Sequence, residues 1–89
     1  MALLDLLGRR WTLRLIWELR AGALGFRALQ ARCEGMSSSV LSQRLRELRS
    51  AGVLSPVGEG YELSEEGHEL LALLAPLDAW ARRWADRGR

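Results

Sequence analysis

Met36-Ser37-Ser38-Ser39-Val40-Leu41-Ser42-Gln43-Arg44-Leu45-Arg46-Glu47-Leu48-Arg49-Ser50-Ala51-Gly52-Val53-Leu54 is the stretch that decides how this chain is read. The serine run offers an N-cap at Ser37 or Ser38, because a serine oxygen accepts from the free N–H groups of a helix's first turn. Leu41, Leu45 and Leu48 then recur at helical spacing and form one apolar stripe. The spacing predicts a helix over about 38–50, with Gly52 as its C-terminal stop. At about 100° per residue, the face opposite the leucines carries Ser39, Ser42, Gln43, Arg46 and Ser50, flanked by Glu47 and Arg49. Small hydroxyls, one amide and one guanidinium suit a helix lying in a major groove, where Arg pairs with guanine and Gln with adenine. A merely solvated amphipathic helix is the competing reading of the segment taken alone, and the chain on either side argues against it.

Upstream, Ala2 to Leu7 reads as a short apolar helix closed by Gly8, and Trp11 to Arg20 as the next, with Leu15 and Ile16 on its inner side. Ala21-Gly22-Ala23-Leu24-Gly25 is a glycine-bearing break. Phe26 to Arg32 is a third short helix, and Cys33-Glu34-Gly35 is the turn into the fourth. Downstream, Val53 to Val57 reads as a strand, Gly58-Glu59-Gly60 as a tight turn and Tyr61 to Leu63 as the returning strand. Pro56 cannot donate to a ladder and marks an edge. Ser64 caps a last helix over about 64–86, with Glu65 and Glu66 in its first turn, and Pro76 should kink or break it. The expected fold is mostly α with a small two-stranded β hairpin, a winged helix-turn-helix, formed by one domain over residues 1–89.

Eighty-nine residues, 48% of them apolar, support one modest core. The net charge of +2 hides a split. Residues 1–50 hold nine arginines against four acids, and residues 51–89 hold four against seven. A front half at +5 and a back half at −3 point to a polyanion on one surface only. The single cysteine, Cys33, excludes an internal disulfide and a multi-cysteine zinc site, and fits a reducing, cytoplasmic setting. No apolar run approaches the roughly 18 residues of a membrane span, and the opening lacks a basic signal-peptide region.

The order and spacing of these segments resemble the HxlR family of small bacterial winged-helix regulators, which share their architecture with MarR. Leu4-Asp5-Leu6-Leu7-Gly8-Arg9-Arg10-Trp11-Thr12 is similar to the family's Leu-Gly-Gly-Lys-Trp-Thr opening. Phe26-Arg27-Ala28-Leu29 is similar to its Arg-Phe-x-x-Leu element. Gly35 to Leu48 resembles its recognition segment, and Ala51-Gly52-Val53-Leu54 and Tyr61 to Gly67 its wing strands. Trp80 falls where the family often has a tryptophan. The resemblance covers nearly the whole chain and implies a DNA-binding transcriptional regulator. Three departures stand out. The wing tip is short and acidic, with Glu59 facing any phosphate. Gly25 stands where the family usually has Arg. No cysteine precedes the first helix, where redox-sensing members carry one.

On this reading Arg46 and Gln43 meet base edges, and Ser38, Ser39 and Ser42 meet bases or phosphate. Arg27, Arg44 and Arg49 pair with phosphates of double-stranded DNA, with Arg10 a weaker candidate. Leu70, Leu73, Leu74, Leu77, Trp80 and Trp84 follow 3- and 4-residue spacing. Leu73, Leu77, Trp80 and Trp84, with Leu3 and Leu7, are expected to form a homodimer interface, because regulators of this type read two half-sites with two-fold symmetry. The alternative is a last helix folded back on Leu3, Leu4 and Leu7. Cys33, beside Arg32, is a candidate thiolate for redox sensing, against an inert buried turn residue. His68 has no partner at metal-ligand spacing. With Ser64 it forms no nucleophile elbow, so no catalytic set, cofactor or metal is expected. A winged helix turned to protein–protein interaction is the second functional reading, and no feature fixes a small-molecule effector.

Overall fold

A computed structural model describes residues 2–88. Five helices and a small sheet follow one another as α1 (Ala2–Leu7), α2 (Thr12–Glu18), β1 (Leu24–Gly25), α3 (Phe26–Arg32), α4 (Ser38–Ser50), β2 (Leu54–Val57), β3 (Gly60–Leu63) and α5 (Glu65–Arg87). The winged helix-turn-helix plan is therefore present. The helix-turn-helix is α3 and α4, resting on α2.

Of the two serines that could begin α4, Ser37 does so, its Oγ accepting from Val40 N at 3.2 Å. At the other end Gly52 takes a left-handed φ of 80°. There Val53 N reaches back to Leu48 O and Gly52 N to Arg49 O, both at 3.0 Å. These two bonds close the last turn and release the chain directly into β2. Leu41, Leu45 and Leu48 are buried as the stripe required. They meet Leu15 and Ile16 of α2, Leu19 just past its end, Leu29 of α3, and Val53, Leu54 and Leu63 at the base of the wing, with Cys33 and Met36 filling the turn.

The hairpin expected to have two strands is part of a three-stranded antiparallel sheet of order β1-β3-β2. Leu24 and Gly25 pair with Tyr61 and Gly60, and β2 pairs with β3 from Leu54↔Leu63 to Val57↔Gly60. A Cβ on Gly60 would lie 2.6 Å from the Leu24 carbonyl oxygen, so only glycine lets β1 approach this closely. Two residues are too few to show an alternation, which is why this strand reads as a break in the sequence.

Ser64 caps α5, accepting from Gly67 N at 3.0 Å and donating its hydroxyl to Gly52 O. Its backbone N–H donates to Val53 O at 3.0 Å. Gly67 is buried against the same wing base. The helix does not break at Pro76 but runs on to Arg87. Proline lacks the N–H that would bond Ala72 O, but Ala72 and Pro76 are exposed, so water can serve the freed carbonyl. Twenty-three residues at about 1.5 Å each give a rod of about 34 Å. Leu70, Leu71 and Leu74 pack on the core, and the remainder projects, giving a molecule of 42 × 27 × 26 Å.

Of the residues expected to meet a second subunit, Leu7 is instead half-buried against the chain's own core beside Leu6. Leu3, one helical turn away near the other end of α1, is not covered in this way. Leu3, Leu73, Leu77, Trp80 and Trp84 remain exposed. The fold-back alternative also fails at the far end, where Trp80 and Trp84 stay 49% and 61% exposed. No helix among the described residues is long and apolar enough to cross a membrane.

Candidate nucleic-acid interface

The leucine stripe of α4 turns its opposite face outward. Ser38, Ser39, Gln43, Arg46, Arg49 and Ser50 are exposed and Ser42 is half-buried. Arg27 is exposed one residue into α3. The helix is 13 residues long, about 20 Å, and carries hydrogen-bonding groups along its outward side. Ser37 and Ser39 share a hydrogen bond between their hydroxyls at 3.3 Å.

The arginines do not all belong to this surface, because two acids sort them. Glu18 of α2 pairs with Arg14 at 2.7 Å and with Arg32 at 3.5 Å. Arg14 also donates to Arg32 O at 3.0 Å. Glu47 of α4 takes Arg44 on Oε1 and Arg9 on Oε2, each at 2.7 Å. Arg20 lies over the Trp17 ring and Arg10 over the Trp11 ring. Among the described residues, Arg27, Arg46 and Arg49 form no ion pair.

Arg44, expected among the phosphate contacts, is engaged within the chain. Its side chain is only 15% exposed, and its Nε donates to Arg10 O at 3.0 Å. The i,i+3 spacing from Arg44 to Glu47 was a visible signal for half of this arrangement. Nothing in the sequence marks Arg9 as the other partner.

The wing contributes little positive charge. Val57, Gly58 and Glu59 are exposed at its tip, and a carboxylate there opposes a phosphate. A cleft between the α3 start and the wing places Arg27 across from Glu59.

Cys33 is 1% exposed. Burial pushes its thiol up from the ordinary range; Arg14 acts in the opposite sense, and Glu18 adds to the rise. The thiolate expected from a neighbouring guanidinium is thus disfavoured, because desolvation outweighs the cation and the nearby cation comes with its own acid. His68 is exposed, and no group of three or more His, Cys, Asp or Glu is assembled among the described residues.

The exposed stripe on α5 continues into a groove of about 550 Å³ between α2 and α5, walled by Leu13, Trp17, Leu71, Leu74 and Leu77. Trp80 and Trp84 stack beyond it, with ring centroids 6.5 Å apart and an interplanar angle of 15°.

Against known proteins, residues 6–89 match the family described as HxlR-like helix-turn-helix. The chain is 33% identical over 89 residues to the HTH-type transcriptional regulator YvaP of Bacillus subtilis, covering 92% of this chain and 82% of that one. The crystal structure of quinone-bound YodB from B. subtilis superposes with a TM-score of 0.85 at 29% identity, covering 92% of this chain and 93% of YodB. A possible HxlR family transcriptional factor from Thermoplasma volcanium gives 0.84 at 29% identity, covering 92% of this chain and 80% of that one.

Proposed function

The chain belongs to the HxlR-like helix-turn-helix family of transcriptional regulators, and we propose that it binds duplex DNA sequence-specifically as a homodimer. The observation that carries this reading is the outward face of α4, on which Gln43 and Arg46 are exposed and Arg46 pairs with no acid among the described residues. A guanidinium left unpaired beside an amide on a helix of this length matches the donor and acceptor pattern of base edges. Ser38, Ser39 and Ser42 supply hydroxyls to bases or backbone, and Arg27 and Arg49 supply phosphate contacts that fix register. Arg44 acts behind this surface, holding α4 to the turn that precedes α2.

The dimer reading rests on the apolar surface of α5 and α1. Leu73 is 74% exposed and Leu77 54%; with the stacked tryptophans they make an apolar stripe on α5 larger than isolated surface residues form, and Leu3 of α1 is exposed as well. Two copies joined there would carry two recognition helices related by a two-fold axis. Glu62, Glu65, Glu66 and Glu69 of the acidic back half would lie away from the duplex.

Selection of bound duplexes from a random pool tests both halves at once. The expected outcome is a motif with two-fold symmetry whose half-sites lie about one helical turn apart. The Arg46→Ala protein should relax one base position in each half-site, at a cost of about 1–3 kcal/mol. Failure of the parent protein to enrich any motif would refute the reading and favour protein–protein interaction.

A further inference from the structure

Glu47 stands on the recognition helix but not on its base-facing side, and both of its oxygens are occupied by cations from elsewhere. Oε2 takes Arg9, which follows the end of α1, and Oε1 takes Arg44. Arg44 in turn donates to Arg10 O. The turn so gripped contains Trp11 with φ at 80°, a left-handed conformation that bulky L residues rarely adopt. Such a turn persists when its surroundings hold it, and here the recognition helix does the holding. Arg9 and Glu47 also face each other across a cleft between α1 and α4, and Arg46 and Ser50 of the base-facing side line the same cleft. Arg9 therefore lies along the edge of the surface that would meet DNA.

We infer that Glu47 is a positioning residue that ties α1 to the recognition helix and withholds Arg9 and Arg44 from DNA phosphate, so that binding depends on the base-reading side chains. The inference rests on the DNA-binding reading above. Its physical content is simple. A phosphate contact is indifferent to sequence and adds equally to right and wrong sites. An acid that keeps two cations out of such contacts preserves the difference between those sites. The same acid joins the helix expected to meet the partner subunit to the helix expected to read bases.

Glu47→Gln is nearly isosteric and removes the charge. Its first readout needs no DNA. Hydrogen exchange at Gly8 N and Arg9 N, which close the last turn of α1, should accelerate at least about threefold, and Arg9→Gln should do the same. The second readout is binding to a duplex of scrambled sequence. Arg44 keeps its bond to Arg10 O, so if Glu47→Gln frees Arg9 alone in both subunits, two added phosphate contacts make the loss of affinity between 50 and 200 mM salt about tenfold larger. The ratio of specific to scrambled affinity should fall at least about fivefold. Arg9→Gln adds no free cation at position 9 and should leave the salt dependence at the parent value. Unchanged exchange in both variants overturns the tie. An unchanged salt dependence and ratio in Glu47→Gln overturns the withholding. So does a lowered melting temperature with specific and scrambled binding reduced alike, which marks Glu47 as merely structural. A parent protein that binds no DNA defeats the functional reading instead, and the exchange measurements still decide whether the tie exists.

Discussion

Replacing Gly67 by alanine sets two effects of opposite sign against each other at the junction of wing and last helix. In a helix interior, Gly→Ala should stabilise by about 1 kcal/mol through backbone propensity. Position 67 has no room for the gain. A Cβ there would press into the Val53 carbonyl oxygen and sit 3.2 Å from Leu63 Cβ and 3.3 Å from Leu63 Cδ2. The carbonyl cannot swing aside freely, because it accepts from Ser64 N at 3.0 Å. Overpacking a closed site costs about 1–3 kcal/mol, and loss of that hydrogen bond adds about 1 kcal/mol. Subtracting the propensity gain leaves a net loss of about 1–3 kcal/mol. For a domain of this size each kcal/mol moves the melting temperature by about 4–8 °C, so a loss near 2 kcal/mol gives a drop of about 8–16 °C. Far-ultraviolet circular dichroism at one fixed protein concentration reads this, since any dimerisation makes the midpoint concentration-dependent. Gly25→Ala is the control. Its backbone is extended and an added Cβ meets nothing within 4 Å, so its midpoint should stay within about 3 °C of the parent. A Gly67→Ala protein that melts at or above the parent temperature would refute the argument that α5 is seated by direct contact with the wing backbone.

With Arg44 removed from the phosphate set, Arg27 and Arg49 of two subunits leave four contacts and a log–log salt slope of about −4; a titration against salt giving a flat line contradicts DNA binding of this kind. Trp80 and Trp84 are about half exposed, so completing their burial in both subunits contributes about 4 kcal/mol. Sedimentation of Trp80→Ala, Trp84→Ala should show a dissociation constant about a thousandfold weaker than the parent's, and a parent that already sediments as a 10.0 kDa species refutes the dimer. Cys33 has a raised thiol pKa when folded, so its contribution to stability is complete below the unfolded value of about 9.0 and is lost as pH rises through the higher folded value. The parent should therefore lose more stability than Cys33→Ala above about pH 9, and native Cys33 should resist alkylation at neutral pH until denaturant is added. Equal alkylation rates with and without denaturant would contradict its burial.

What the sequence made legible was local. The period of Leu41, Leu45 and Leu48, the caps at Ser37 and Ser64 and the stop at Gly52 depend on residues within a few positions of one another, and α4 and α5 lie where those signals put them. The polar face of α4 followed from the same periodicity. What stayed hidden depends on contacts through space. Leu24 and Gly25 form a strand only because β3 runs beside them. Arg44 leaves the surface because Arg10 O and Glu47 claim it. Leu7 turns inward with Leu6 although Leu3 on the same short helix faces out. Glu47 and Arg9 are far apart in the chain, and no pattern joins them. Charge counts located the excess of arginine in residues 1–50 but could not say which arginines were already spent on internal acids.

The two-residue strand β1 has a mechanical consequence. It ends where α3 begins and is laced to β3, so the wing is bolted to the first helix of the helix-turn-helix rather than hanging from α4 alone. The turn that β3 leaves is equally fixed, through Ser64 and Gly67, to the start of α5. On the DNA-binding reading, a head braced on three sides would arrive at its target already in shape and lose little conformational entropy on docking. It also has little give. Differences in groove width or curvature between sites must then be absorbed by the duplex, and sequences that bend or narrow at low energetic cost would be favoured even at base pairs that no side chain touches.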